Sequence, residues 1–420
     1  MRALFATAVA AAVLSAAPAF AAPDHPDQVE RGRYLATVGD CVACHTQAGS
    51  ASGNAGFSSH GFAGGRSIDT PFGKINAANI TPDQETGIGN WSADDFYRAM
   101  HEGVRPDGTH LYPAFPYTDY TKVTREDSDA IFAFLQSLDP VRSEVNRDSL
   151  PFPFNIRMLM LGWNTLFFKP TEFKPQPGQS AEWNRGAYLA EGLGHCGTCH
   201  TPRNMLGGER NSRPLAGGDL QGWYAPSLTA DNRTGIGSWS DDEIVEYLQT
   251  GRNAHGAASG PMAEVVENST TLMPEADLRA IAVYLKHPLG SHEAASTPQP
   301  LPAENPQMQV GAAIYMDGCQ ACHRADGEGV ARLFPSLAGN PLMQQSDPES
   351  LVRVVLQGGR AAATDAAPTG PSMPAFGWRL TDDQVAAVVT YIRNSWGNAA
   401  APVTADEARK LRERLAQVVK

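Results

Sequence analysis

All six cysteines of this 420-residue chain fall into three copies of one pattern, Cys-x-x-Cys-His. The copies read Cys41-Val42-Ala43-Cys44-His45, Cys196-Gly197-Thr198-Cys199-His200 and Cys319-Gln320-Ala321-Cys322-His323. Two thiols at this spacing beside an imidazole suit covalent haem attachment. The thiols add across the haem vinyl groups as thioethers, and the histidine ligates iron from the proximal side. One helical turn sets both sulfurs and the ring along one edge and face of the macrocycle. A redox Cys-x-x-Cys needs no histidine next to it and sits in a βαβ context that is absent here. Zinc knuckles work in pairs, and three divide badly. The motifs therefore predict three covalent haem c groups, held by Cys41, Cys44, Cys196, Cys199, Cys319 and Cys322. His45, His200 and His323 are the predicted proximal ligands.

The opposite face of each iron needs separate treatment. A methionine thioether there raises the haem potential and blocks small ligands. Because methionine is most often a core filler, a ligand must lie in the loop between the middle and last helices of its repeat. Met373, in Pro371-Ser372-Met373-Pro374, and Met262, in Gly260-Pro261-Met262-Ala263, meet that condition. Met273 is the rival in the second repeat, but it stands where the last helix should begin. The first repeat has no methionine in its loop, which reads His110-Leu111-Tyr112-Pro113-Ala114-Phe115-Pro116-Tyr117. Met100 falls on the middle helix, opposite Leu248, and reads as core. His110, His101 and an open five-coordinate iron remain the alternatives for that haem. His195 and His255 read as loop residues.

The elements that must position these groups repeat with them. Arg31-Gly32-Arg33-Tyr34-Leu35-Ala36 precedes the first motif and Arg185-Gly186-Ala187-Tyr188-Leu189-Ala190 the second. Thr86-Gly87-Ile88-Gly89-Asn90-Trp91-Ser92 returns as Thr234-Gly235-Ile236-Gly237-Ser238-Trp239-Ser240, and a third, more distant unit keeps Gly311 and Tyr315. In each unit a helix leads into the motif, followed by a Gly/Pro-rich loop, a middle helix, a second loop and a closing helix. Ser92 with Asp95, Ser240 with Glu243 and Ser346 with Glu349 are expected to open the middle helices as capping boxes. Apolar residues at helical spacing mark the closing helices: Ile131, Phe134, Leu135 and Leu138; Leu278, Ile281 and Leu285; Val385, Val388, Val389 and Ile392. Phe134, Tyr284 and Tyr391 recur at equivalent places and read as packing.

This plan resembles the class I cytochrome c fold, in which the first and last helices cross near a glycine and an aromatic; Gly32, Gly186 and Gly311 are the matching glycines. The fold class is mainly α, with three tandem class I cytochrome c-like domains. The order of the three motifs, the two Thr-Gly-Ile-Gly-x-Trp-Ser segments, His110-Leu111-Tyr112-Pro113-Ala114 and Gly260-Pro261-Met262-Ala263-Glu264-Val265-Val266 go further. Across nearly the whole mature chain they resemble the trihaem cytochrome c subunits of membrane-bound periplasmic dehydrogenases acting on alcohols, gluconate, sorbitol or fructose. That resemblance implies a docked catalytic subunit carrying PQQ or flavin, and electron delivery to ubiquinone or another respiratory acceptor. Similar cytochromes serve molybdenum hydroxylases, so the substrate stays open. Such relatives often have methionine where this chain has Phe115, which leaves the sixth ligand of the first haem open but not its attachment.

Met1-Arg2, the apolar run Ala3–Ala17 and Ala19-Phe20-Ala21 read as a secretory signal peptide over residues 1–21. The alternative is an N-terminal membrane anchor, for which the run is short and alanine-rich, so the mature chain is expected in the periplasm. Domains are expected at 22–150, 181–290 and 307–397. An apolar linker at 151–180, a flexible Pro/Ala/Ser-rich linker at 291–306 and a tail helix within 398–420 complete the chain. The apolar linker, Pro151 to Phe168, is too short to span a bilayer. It either packs between domains or forms a subunit contact or a surface dipping into the membrane interface. The tail puts Ala408, Leu411, Leu415 and Val418 on one side, to meet a partner or membrane, or to lie solvated. No spanning segment is expected after cleavage, so membrane attachment would be peripheral. The formal net charge of −12 argues against nucleic acid or an anionic lipid surface as the main partner. With no nucleophile triad, general-base pair or phosphate loop, the expected role is electron relay from a dehydrogenase subunit. The alternatives are a free-standing soluble shuttle and a peroxidase-like haem enzyme using an open first haem.

Overall fold

The computed structural model describes residues 26–47, 61–146, 150–220, 222–287 and 298–418. The expected signal peptide and residues 291–297 of the expected second linker lie outside them. The architecture is mainly helical, with three two-stranded antiparallel hairpins among the described residues. Three units repeat the same order of opening helix, motif turn, middle helix and closing helix. In the first these are Pro26–Val38, Cys41–His45, Ala93–Glu102 and Arg125–Gln136. In the second they are Ala181–Tyr188, Cys196–His200, Asp241–Thr250 and Glu275–Lys286. In the third they are Pro306–Gly318, Gln320–His323, Glu349–Gln357 and Asp382–Arg393.

In every unit the opening helix crosses the closing helix at the expected glycine. A methyl group on Gly32, Gly186 or Gly311 would overlap the carbonyl oxygen of Ala130, Ala280 or Ala387 and press on Phe134, Tyr284 or Tyr391. Glycine is needed there because the two backbones touch. The crossing also fixes a register between units. Counting back from it, Asp127 and Asp277 are equivalent, and Gln384 takes their place in the third unit. The second unit has one more residue than the first between its glycine and its motif. A single turn of π-helix at Leu189–Leu193 absorbs it.

The middle helices start as expected in the first two units, where Ser92 with Asp95 and Ser240 with Glu243 form full capping boxes. The third departs from expectation. Its helix begins at Glu349 itself, after Pro348, and Ser346 caps nothing. Glu349 is turned instead toward Arg414 of the last helix, 2.5 Å away. That last helix, Ala405–Val418, corrects a second expectation. Ala408, Leu411 and Leu415 are buried in the core of the third unit, against Val352, Val385 and Val389. The apolar side of the tail is thus covered by its own chain, because Val403 and Thr390 anchor the turn leading into it. Val418's side chain lies outside the described residues.

One apolar core runs without interruption through the first two units, from Leu35, Val38 and Phe134 to Trp183, Leu193 and Leu278. A reciprocal polar clamp joins them. Within the first unit Arg31 donates to Asp127, and within the second Arg185 donates to Asp277. Each tyrosine of the repeat then crosses over: Tyr188 donates to Asp127 at 2.6 Å, and Tyr34 donates to Asp277. Contacts that exchange in this way are what a twofold axis between two similar units requires. In the third unit the positions of Arg, Tyr and Asp hold Val310, Ala313 and Gln384, and it makes no such clamp. It meets the second unit through mostly polar contacts: Arg252 to the Ala362, Ala367 and Thr369 carbonyls, Ser350 to Tyr224, and Arg353 stacked on Trp223.

Asp127 is almost fully buried. Replacing it with asparagine is expected to remove charge-assisted bonds worth roughly 2 kcal/mol. In calorimetry of the haem-loaded protein, the transition of the joined first and second units should move down in temperature while that of the third unit stays. A shift of all three together would contradict the division described here.

Candidate functional site

The three motif turns place their histidines alike. Nδ1 of His45 lies 2.7 Å from the Ala78 carbonyl, that of His200 lies 2.7 Å from Pro226, and that of His323 lies 3.1 Å from Pro335. A carbonyl only accepts, so Nδ1 carries the proton and the Nε2 lone pair is free to bind a metal. Burial pulls all three imidazoles below their usual pKa, against the carbonyl bond, which favours the neutral ligand form. In the first two units a residue in left-handed backbone, Asp40 (φ 46°) or His195 (φ 35°), turns the chain into the motif. In the third the opening helix runs directly into Cys319. None of the six cysteines is in a disulfide. Burial pushes the Cys41 and Cys196 thiols up to about 12, so both are neutral in the haem-free chain.

Two arginines brace the turns from outside the motifs, and sequence reading missed both. Arg66 donates to the Ala43 carbonyl and Arg203 to the Thr198 carbonyl, the same position in each motif. Neither arginine lies in a segment whose repetition is obvious, so spacing gave no signal for them.

Beside Cys319 opens a cavity of about 270 Å³, lined among others by Ile314, Val355, Met373, Phe376, Leu380 and Val388. Met373 is held by a short hairpin, Gly359–Arg360 against Ser372–Met373. The structure thus brings Met373 and an attachment cysteine to one cavity. Trp378, 84 % exposed, stands beside its rim residue Arg379. Met262 lies near the start of helix Pro261–Asn268, against Ala258, Ala263, Val266 and Ala362. Met273 is buried in the shared core with Cys196, at the register of Leu380. In the first unit Phe115 packs on the same core near Cys41, edge-on to Tyr120, and Met100 is core as expected. His101 stacks on Tyr97, and His110 keeps a buried Nδ1 without a partner. His195 packs on Tyr120, and His255 stacks on Trp239 and pairs with Glu243.

The residues fit haem. Trp239 has a buried indole N–H with no acceptor, a cost that an anionic group such as a haem carboxylate would relieve. Free cysteine pairs, histidines with Nε2 left open and a methionine facing an apolar cavity are the parts of a c-type cytochrome. The family model described as Cytochrome c matches residues 308–396. The chain is 43% identical to the gluconate 2-dehydrogenase cytochrome c subunit of Pantoea cypripedii, over 92% of this chain and 89% of that protein. It is 40% identical to the cytochrome c subunit of the quinone-dependent alcohol dehydrogenase of Gluconacetobacter polyoxogenes, over 93% and 85%. It is also 37% identical to the fructose dehydrogenase cytochrome subunit of Gluconobacter japonicus, over 92% of this chain and 83% of that protein. The chain belongs to the family of cytochrome c subunits of bacterial dehydrogenases.

Changing Cys319 and Cys322 together to serine is expected to lower the covalent haem content by one per chain, read from the pyridine haemochrome spectrum against protein mass. Unchanged haem content would show that the third motif holds none.

Proposed function

We propose that this chain is a relay of three tandem cytochrome c domains, each carrying one covalent haem, that passes electrons from a dehydrogenase catalytic subunit to ubiquinone or another respiratory acceptor. When bound, each haem supplies a one-electron site of tunable potential. The observation that carries the reading is the apposition of the first two motif turns. Helix Pro261–Asn268 of the second unit packs on the first motif, and the short helix Tyr117–Tyr120 of the first unit packs beside the second. Arg66 beside the first motif pairs with Glu264 of that second-unit helix, and Thr198 of the second motif donates to Asp119 of the first unit. Two haem sites held together by a shared core suit transfer within the chain, while the third pocket, open beside Trp378, suits exchange with a separate protein. His45, His200 and His323 hold the irons from one side in this reading. Met373 and Met262 serve as opposing ligands of the third and second haems. The catalytic subunit would carry PQQ, flavin or a molybdenum centre.

We further place the protein in the periplasm, attached peripherally to the outer face of the cytoplasmic membrane. No helix among the described residues is long and apolar enough to cross a membrane. Helix Leu159–Phe167 contains no charged and no buried residue. It bridges the first two units at their surface. Asn164 and Phe168 hold it to Tyr117, and Trp163 holds it to the Leu206 carbonyl, leaving its outer face bare. Phe152, Met158, Leu166 and Met205 are each more than two-thirds exposed there. The segments that form this patch carry Arg157, Lys169, Lys174, Arg203, Arg210 and Arg213 against Glu172 and Glu209, the reverse of the chain's overall charge. An apolar wedge in a basic collar suits an anionic lipid surface.

Gentle detergent extraction should recover this chain with three haems, a dehydrogenase subunit and substrate-dependent quinone reduction. A lone chain in the soluble periplasmic fraction would instead support a free shuttle. Met158→Asp with Leu161→Asp is expected to release the assembly from membranes with its dehydrogenase activity intact. Loss of the dehydrogenase subunit from a chain still on the membrane would reassign the patch to a subunit contact.

A further inference from the structure

Two carboxylates from different units meet over the second haem turn. Asp119, on helix Tyr117–Tyr120 of the first unit, is buried. Glu209, in the loop after the second motif, has a side chain 19% exposed. The Cβ position of Gly197, inside Cys196-Gly197-Thr198-Cys199-His200, lies 3.7 Å from Asp119 Oδ1 and 3.7 Å from Glu209 Oε2. Asp119 is held there by the Thr198 hydroxyl, which donates to it at 2.9 Å. Glu209 is 3.4 Å from Arg203, which also donates to the Gly207 and Thr198 carbonyls. Lys122 also faces the pair but is turned toward Glu191, 3.3 Å away. The buried Tyr120 hydroxyl stays neutral, burial holding its pKa up. Glu191 takes Lys122 and the Tyr284 hydroxyl, which leaves Arg203 as the cation paired with Glu209.

We propose that Glu209, set beside Asp119 over the second motif, takes up one proton as the haem on Cys196 and Cys199 is reduced and releases it as that haem is oxidised. This rests on a haem being attached at the second motif. The step balances: one electron arrives from the dehydrogenase subunit, or from a chemical reductant in a titration, and one proton moves from solvent onto a carboxylate oxygen. The cause is electrostatic. An electron added beside a partly desolvated pair of carboxylates raises the cost of keeping both ionised. Burial first, then the Asp119 charge, holds Glu209 up to about 7, while Arg203 and Lys122 pull it down. The exchange therefore falls near neutral pH.

The sign follows from linkage. Below the pKa of the oxidised state the pair carries its proton in both redox states, and above that of the reduced state in neither. Between the two, rising pH favours the oxidised haem, by up to about tenfold in the oxidised-to-reduced ratio per pH unit at fixed potential. The test is a spectroelectrochemical titration of the full haem-loaded chain from roughly pH 5 to 9, spanning both sides of the expected exchange. One haem component should have a midpoint that falls as pH rises through neutrality. Glu209→Gln should flatten that slope. Asp119→Asn should instead keep the slope and move it to lower pH, because Glu209 loses the like charge that raised it. A slope arising from the buried Asp40 beside the first motif would survive Glu209→Gln. No pH dependence in the wild type, or a slope unchanged in both variants, would overturn the proposal. If Glu209→Gln loses haem, the wild-type series and Asp119→Asn still decide. The haemochrome count separates a missing haem from a missing coupling.

Discussion

In each unit one helix backbone lies directly on another, with a glycine hydrogen against a carbonyl oxygen, and the remaining structure is arranged around that contact. It sets how far the motif turn stands from the closing helix, and so the space left for a haem between them. It fixes which residues of the closing helix face the pocket. The cavity beside Cys319 is the clearest case, since Ile314 on one helix and Val388 on the other line it from either side of the crossing. A single methyl at Gly32, Gly186 or Gly311 would wedge the helices apart and misplace everything that follows.

A second constraint decides how the units associate. Arg31 and Arg185 tie each aspartate to its own opening helix, and Tyr188 and Tyr34 tie it to the neighbouring unit. The polar clamp and the continuous core act together. The apolar surface supplies most of the association energy, while hydrogen bonds to buried carboxylates allow only one relative placement. That placement puts the first two motif turns beside each other. The third unit, with valine, alanine and glutamine at the three positions, joins through carbonyl-bound Arg252 and a few polar contacts. Trp378, next to the cavity beside Cys319, stays exposed.

Burial separates two segments that each bring apolar residues to the side of a domain. Leu159–Phe167 and Ala405–Val418 are both short helices next to a domain, and either could have covered or bared its apolar residues. The tail turns Leu411 and Leu415 inward and pairs Arg412 and Arg414 with Asp382 and Glu349, so its apolar stripe and its charges both find partners in the third unit. The earlier helix has no charges to pair and apolar residues all round, so one domain surface cannot cover it.

Local pattern was legible from the residues alone. Cys-x-x-Cys-His needs one helical turn and nothing else, so its cysteines and histidines could be proposed as attachment and ligand residues without a fold. The crossing glycines and closing-helix aromatics could be named because helical periodicity and repetition are local signals. The capping boxes at Ser92 and Ser240 were equally local, and Ser346 failed because Pro348 and a distant Arg414 competed for the start of its helix. Only the tertiary structure decided which groups meet across the chain. Asp127 with Tyr188, Arg66 with Ala43, and Asp119 with Glu209 are separated by tens of residues, and no period or spacing links them. The first and last of these pairings depend on two separate units closing on one another, and that closure is settled by the sum of buried surface and satisfied polar groups rather than by any segment of sequence.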